Sequence, residues 1–213
     1  MEDDREFAQA SFDIYNNNLA FDKVFNFGGI VAGLRRDILA FRGTDNLDDF
    51  IHDLFFKQVT IYDHPQLGKV AAGFAAGMQE FYQQFLPLYN GNLRITGHSL
   101  GGARALILGA MLTANGKPPA RIITFGAPRP GYSQLADVLA PIKITEYRNG
   151  TGAMRSDGSS HDIVTDFHLH IPVVAPFIHP REPLIDISAP PAAEDAFGPL
   201  AWHHMELYLK GVG

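Results

Sequence analysis

Gly97-His98-Ser99-Leu100-Gly101 stands between an apolar, strand-like run, Leu93-Arg94-Ile95-Thr96, and a helical pattern that starts at Leu100. A serine at that junction sits on a turn sharp enough to force an unusual backbone, and the flanking glycines let neighbouring chain come close without a Cβ clash. The expected product is an exposed hydroxyl facing a reaction site. The next backbone N–H, that of Leu100, then lies at a helix N-terminus, where it can stabilise developing negative charge. G-x-S-x-G also suits an ordinary turn serine, so the context decides. Leu100, Ala103, Leu106, Ile107, Ala110, Met111 and Ala114 recur at helical spacing and stop at Asn115-Gly116, ahead of Pro118 and Pro119. Strand, elbow and helix are all present, which makes Ser99 a candidate nucleophile.

The rest of the chain alternates in the same way. Residues 6–16 pattern as a helix with Ala8, Phe12 and Tyr15 on one stripe. Gly29-Ile30-Val31-Ala32 and Ile38-Leu39-Ala40-Phe41 read as strands joined into a hairpin by Gly33 to Asp37. Phe74, Met78, Phe81, Phe85 and Leu88 recur at helical spacing before Asn90-Gly91-Asn92. After the elbow helix, Ile122-Ile123-Thr124-Phe125 and Ile142-Lys143-Ile144-Thr145 are strand-like, separated by a short helix around Tyr132 to Leu139. Strands alternating with helices predict an α/β fold with a mostly parallel central sheet and a site at the carboxyl ends of its strands. The prolines between 172 and 199 read as rigid loops over the core.

At 213 residues the chain reads as a single domain, 1–213, able to bury a core without staples. With no cysteine, thiol catalysis and zinc–thiolate sites are excluded. The 17 basic and 23 acidic side chains give a net charge of −6 with no basic face, so no nucleic-acid partner is expected. The acidic start, Met1-Glu2-Asp3-Asp4-Arg5-Glu6, shows no secretory signal. The longest apolar stretch, Ala105 to Leu112, is well short of the roughly 20 residues of a membrane span. The expectation is a soluble protein, cytoplasmic or secreted with its leader removed.

A serine hydroxyl needs a neutral imidazole to take its proton and a carboxylate to orient that imidazole. With the order serine, acid, histidine, the late histidines are His203 and His204, whereas the acids after Ser99 include Glu146, Asp157, Asp162, Asp166, Glu182, Asp186, Glu194 and Asp195. Order alone does not choose among them.

Several segments together resemble the class 3 lipases, the family of the small fungal triacylglycerol lipases. They are Phe41-Arg42-Gly43-Thr44, Ile95 to Ala103, Thr124-Phe125-Gly126-Ala127-Pro128-Arg129-Pro130-Gly131, Asp162-Ile163-Val164 and His203-His204-Met205-Glu206-Leu207-Tyr208. The resemblance implies an α/β-hydrolase fold, a triad of Ser99, Asp162 and His203, and an oxyanion hole in which the N–H of Thr44 joins that of Leu100. It selects His203 because the family's histidine stands five positions before a tyrosine, here Tyr208. The chain departs from the family where Ala71 replaces a common histidine, and where a Gly- and Ser-rich segment, 149–161, precedes Asp162. That segment makes Asp157 the rival acid. The shortness of the chain and its lack of the fungal disulfides suggest a trimmed, bacterial-like member.

Leu47, Phe50, Ile51 and Leu54 form one helical face within residues 45–56. That is either a surface helix packed on the core or, as the resemblance implies, a lid over the acyl site. The aspartates of this segment lack the glycine and terminal glutamate of a calcium loop. His168 and His170 could share a strand face as a zinc pair but have no evident third ligand. No metal and no organic cofactor is expected. Arg42 and Arg129 read as structural hydrogen-bond donors. The expected activity is hydrolysis of carboxylic esters, foremost acylglycerols, with a lipid or other uncharged ester as partner. The alternatives are an esterase or phospholipase on the same scaffold and a non-catalytic lipid-binding homologue.

Overall fold

Ile38–Phe41 is buried at every residue, and Arg94–His98 and Arg121–Phe125 are buried at all but their first. Strands apolar on both faces belong in the middle of a parallel sheet covered on both sides. The computed structural model describes residues 2–44, 57–150, 164, 185–187 and 203–212. In chain order its principal elements are α1 (Glu2–Asn16), β1 (Lys23–Phe27), β2 (Ile30–Arg35), β3 (Ile38–Phe41), β4 (Gln58–Thr60), β5 (Lys69–Ala71), α2 (Ala72–Ala75), α3 (Met78–Phe85), β6 (Arg94–His98), α4 (Leu100–Ala114), β7 (Arg121–Phe125), α5 (Ser133–Leu139), β8 (Ile144–Asn149), β9 (Ile185–Ile187) and α6 (Met205–Gly211).

The main sheet runs β1-β2-β3-β6-β7-β8-β9, and β4 pairs with β5 in a small second sheet. β1, β2 and β3 form an antiparallel meander; from β3 onward every pairing is parallel, with Phe41 opposite Gly97 and His98 opposite Phe125. That register brings the ends of β3, β6 and β7 to one edge of the sheet, where the elbow lies. α4 is buried from Leu100 through Leu112, as a helix apolar on all sides must be. α1 covers the opposite face, pinned by the Ser11 hydroxyl donating to Thr96 Oγ1 at 2.8 Å while Thr96 donates to the Ile123 carbonyl at 2.8 Å. Among the described residues no helix is long and apolar enough to cross a membrane.

Local expectations shift in four places. Phe74 to Leu88 is two helices and a 3-10 turn, because Gly77 takes φ +74° against the Gly28 backbone and breaks the ladder. Gly33 lies inside β2, so the hairpin turn is only Arg36 and Asp37. The strand expected at 142–145 begins at Ile144, since the N–H of Ile142 is used on the Leu139 carbonyl to close α5. The proline-rich stretch contains β9, an added strand at the sheet edge, where flanking prolines are tolerated.

Candidate active site

Ser99 has φ +57° and ψ −130°, a conformation that non-glycine residues avoid. It is held there by its neighbours. The Ser99 N–H donates to Phe125 O at 2.9 Å, and the Ser99 carbonyl accepts from Gly102 N–H at 2.9 Å, opening α4. A Cβ on Gly97 would strike the Gly101 backbone, and one on Gly102 would come 2.6 Å from Ala127 Cβ. A Cβ on Gly43 would lie 2.7 Å from His98 O and 3.2 Å from Ser99 Cβ. Glycine at these positions is therefore what allows β3, the elbow and α4 to meet.

The expected exposed hydroxyl is not what the fold presents. Ser99 keeps only 1% of its exposure. Its Oγ is buried and makes no hydrogen bond among the described residues. Beside it, Thr44 and Leu100 line one cavity of about 210 Å³ with Gly29, Val31, Arg42, Gly43 and Arg104. The Leu100 N–H is the first of α4 and so lies outside the intrahelical ladder.

His203 is buried and its neighbour His204 exposed, the latter leading into α6. The His203 ring lies 4.5 Å from that of His98, and its carbonyl accepts from His98 Nε2 at 2.6 Å. Tyr208, also buried, anchors α6 by accepting from Asn149 N–H at 3.0 Å. On the other side of His98, Nδ1 meets the Tyr15 hydroxyl at 3.0 Å, and that hydroxyl accepts from Gly43 N–H at 3.0 Å. Burial, and then the adjacent His203, hold the His98 imidazole well below the ordinary histidine range.

Asp162, its rival Asp157, the segment 45–56 with Leu47, Phe50, Ile51 and Leu54, and the pair His168 and His170 lie outside the described residues. Val164, two positions past Asp162, is described and buried. Among the described residues no cluster of three or more His, Asp or Glu could hold a metal ion.

Tyr15, His98 and Arg104 join the site without having been singled out from the sequence. Arg104 keeps 5% of its exposure, gives Nη1 to Gly29 O at 2.9 Å, and has no carboxylate partner among the described residues. Burial alone pulls its guanidinium down to about 10. The available signal was local: an arginine inside an otherwise apolar helix, and a histidine in a strand buried on both faces.

A family model described as Lipase (class 3) matches residues 38–167, more than half of the chain. The chain belongs to the class 3 lipase family. The match spans Thr44, Ser99 and Asp162 and leaves Tyr15 and His203 outside it. Among curated relatives, phospholipase A1-II 1 of Oryza sativa subsp. indica is 30% identical over 127 residues, 57% of this chain and 29% of that protein. A lipase of Rhizopus niveus is 32% identical over 110 residues, 46% of this chain and 28% of that protein. The chain thus spans less than a third of the length of these curated relatives. Among solved structures, lipase II from Rhizopus niveus superimposes with a TM-score of 0.62 at 20% identity over 88% of this chain and 81% of that one. The lipase of Rhizopus microsporus var. chinensis gives 0.63 at 19% identity over 93% and 76%. The fold is the α/β-hydrolase fold of the class 3 lipases.

Proposed function

We propose that this class 3 lipase hydrolyses carboxylic esters of lipids through an acyl-enzyme on Ser99, as one α/β-hydrolase domain without metal or cofactor. The observation that carries the reading is the Ser99 backbone: φ +57° on a strand-to-helix turn packed with glycines, with a buried Oγ that makes no hydrogen bond among the described residues. Strain of this kind costs about 1–3 kcal/mol and persists where function requires it.

In the proposed cycle Ser99 Oγ attacks the ester carbonyl while His203 accepts its proton, and Asp162 orients the imidazole and stabilises the imidazolium. The N–H groups of Thr44 and Leu100 hold the oxyanion. Collapse of the tetrahedral intermediate expels the alcohol, protonated by His203. Water then attacks the acyl-enzyme, giving its proton to His203, and the carboxylic acid leaves as Ser99 recovers the proton. The primary substrate is an uncharged acylglycerol met at a lipid–water interface, with residues 45–56 as the lid that opens there.

A second reading, a phospholipase, is favoured by Arg104. A buried cation with no carboxylate partner among the described residues, lining the cavity that Thr44 and Leu100 also line, offers an attractive place for a substrate phosphate. Turnover of emulsified triacylglycerol and of phosphatidic acid, by wild type and by Arg104→Met, separates the readings. Triacylglycerol turnover well above that of phosphatidic acid, with neither changed by the substitution, supports the first. Selective loss of phosphatidic acid turnover supports the second, and absence of hydrolysis with a chain-length series of simple esters would refute both.

A further inference from the structure

We propose that Tyr15 and His98 are positioning residues, holding the oxyanion strand end and the backbone of His203 in register through one directed hydrogen-bond chain. The inference rests on the ester-hydrolase reading above and adds two residues to it.

Each link has a single direction. The His203 carbonyl can only accept, so His98 Nε2 carries the proton of their 2.6 Å contact. The ring is neutral, so Nδ1 is then an acceptor and the Tyr15 O–H donates to it across 3.0 Å. The Tyr15 oxygen in turn accepts the Gly43 N–H at 3.0 Å. Gly43 precedes Thr44, and His98 precedes Ser99. The chain therefore begins one residue before the proposed oxyanion donor, passes beside the nucleophile and ends on the backbone of the proposed base.

The elements joined are far apart in sequence: Tyr15 and His98 are separated by 83 residues, His98 and His203 by 105. Nothing local fixes their spacing. Tyr15 comes from the last turn of α1, beyond the sheet, and its ring also stands 5.9 Å edge-on to His98 and 5.5 Å from the Arg42 guanidinium. The phenol is thus packed from several sides, and its oxygen bonds to both Gly43 and His98. A displacement of about 1 Å between catalytic groups can cost on the order of a hundredfold in rate, so a shared anchor has a kinetic role.

Three substitutions split the chain. Tyr15→Phe removes one oxygen and keeps the ring. His98→Gln keeps an amide donor near the Nε2 position, and so the His203 anchor; His98→Asn keeps a polar group near Nδ1 and drops that anchor. For Tyr15→Phe, kcat is expected to fall by about tenfold or more with KM nearly unchanged, on alkyl and p-nitrophenyl esters alike. His98→Asn is expected to lose more on alkyl esters, whose poor leaving group needs protonation by a well-placed His203, and His98→Gln to retain more alkyl-ester turnover than His98→Asn. The proposal is overturned by Tyr15→Phe turning over like wild type, or by variants that lower Tm while leaving kcat per folded molecule unchanged. Histidine side-chain 15N spectra read the chain without turnover. An Nε2–H tautomer at His98, with the Gly43 amide resonance moved by Tyr15→Phe, is the expected result; an Nδ1–H tautomer refutes the chain. A wild type that hydrolyses no ester sinks the functional reading while these spectra still judge the hydrogen bonds.

Discussion

Lowering the pH from 7 to 5 probes the neutral ring of His98 through the stability of the fold. Burial, and secondarily the neighbouring His203, keep its pKa well below the ordinary 6.5. The unfolded chain takes up a proton as the pH passes below 6.5 and the folded chain resists it, so the stability this site contributes is present above that pH and is lost below it. A ring that stays neutral in the fold down to pH 5 sets the upper limit: unfolded-state protonation then removes at most about 2 kcal/mol between pH 7 and pH 5, close to 1.4 kcal/mol per unit on the steep part. His64 is shifted in the same direction by burial and adds to the total. The informative quantity is therefore a difference between proteins. Urea unfolding at both pH values is expected to show His98→Gln less stable than wild type at pH 7, but losing less on acidification, by up to about 2 kcal/mol. Wild type and variant losing stability in parallel would refute a neutral, enclosed His98.

Gly43→Ala places a methyl 2.7 Å from His98 O and 3.2 Å from Ser99 Cβ, so stability should fall by about 1–3 kcal/mol and kcat by about tenfold or more, measured by melts and ester turnover. Asp162→Asn should lose orders of magnitude in kcat and Asp157→Asn little, with His203→Ala nearly dead and His204→Ala close to wild type; the reverse ranking in either pair moves the triad. If residues 45–56 act as a lid, hydrolysis rates should jump when a short-chain ester passes its solubility limit, whereas smooth saturation across that limit identifies a fixed helix.

The elbow was legible because its signature is local: Gly97, Ser99 and Gly101 mark the turn in five residues, although the contacts that hold it come from Phe41, Gly43, Phe125 and Ala127. The central strands were legible for a similar reason, Ile38 to Phe41 being apolar at every position and Ile122 to Phe125 at all but Thr124. β1 escaped notice because most of its length is solvent-facing and it carries Lys23 and Asn26 among its apolar residues. Gly77 was invisible as a break because helical periodicity survives a left-handed residue that keeps both segments on the same face. The local oddity of Arg104 and His98 was visible, but their partners and that of Tyr15 come from distant positions, so no window of sequence contains those pairings. The family resemblance reached residues by motif, and therefore pointed to Thr44, Ser99, Asp162 and His203 but not to Tyr15, which lies in no quoted segment.

The central claim is that Ser99 is a nucleophile. A fluorophosphonate reacts fast and covalently with a serine activated in this way, and the modified peptide can be identified by mass spectrometry. Stoichiometric labelling at Ser99 in parallel with loss of ester hydrolysis, both abolished in a folded Ser99→Ala, is the expected result. An unlabelled wild type, or a Ser99→Ala variant that still hydrolyses esters at a rate near wild type, would contradict the account.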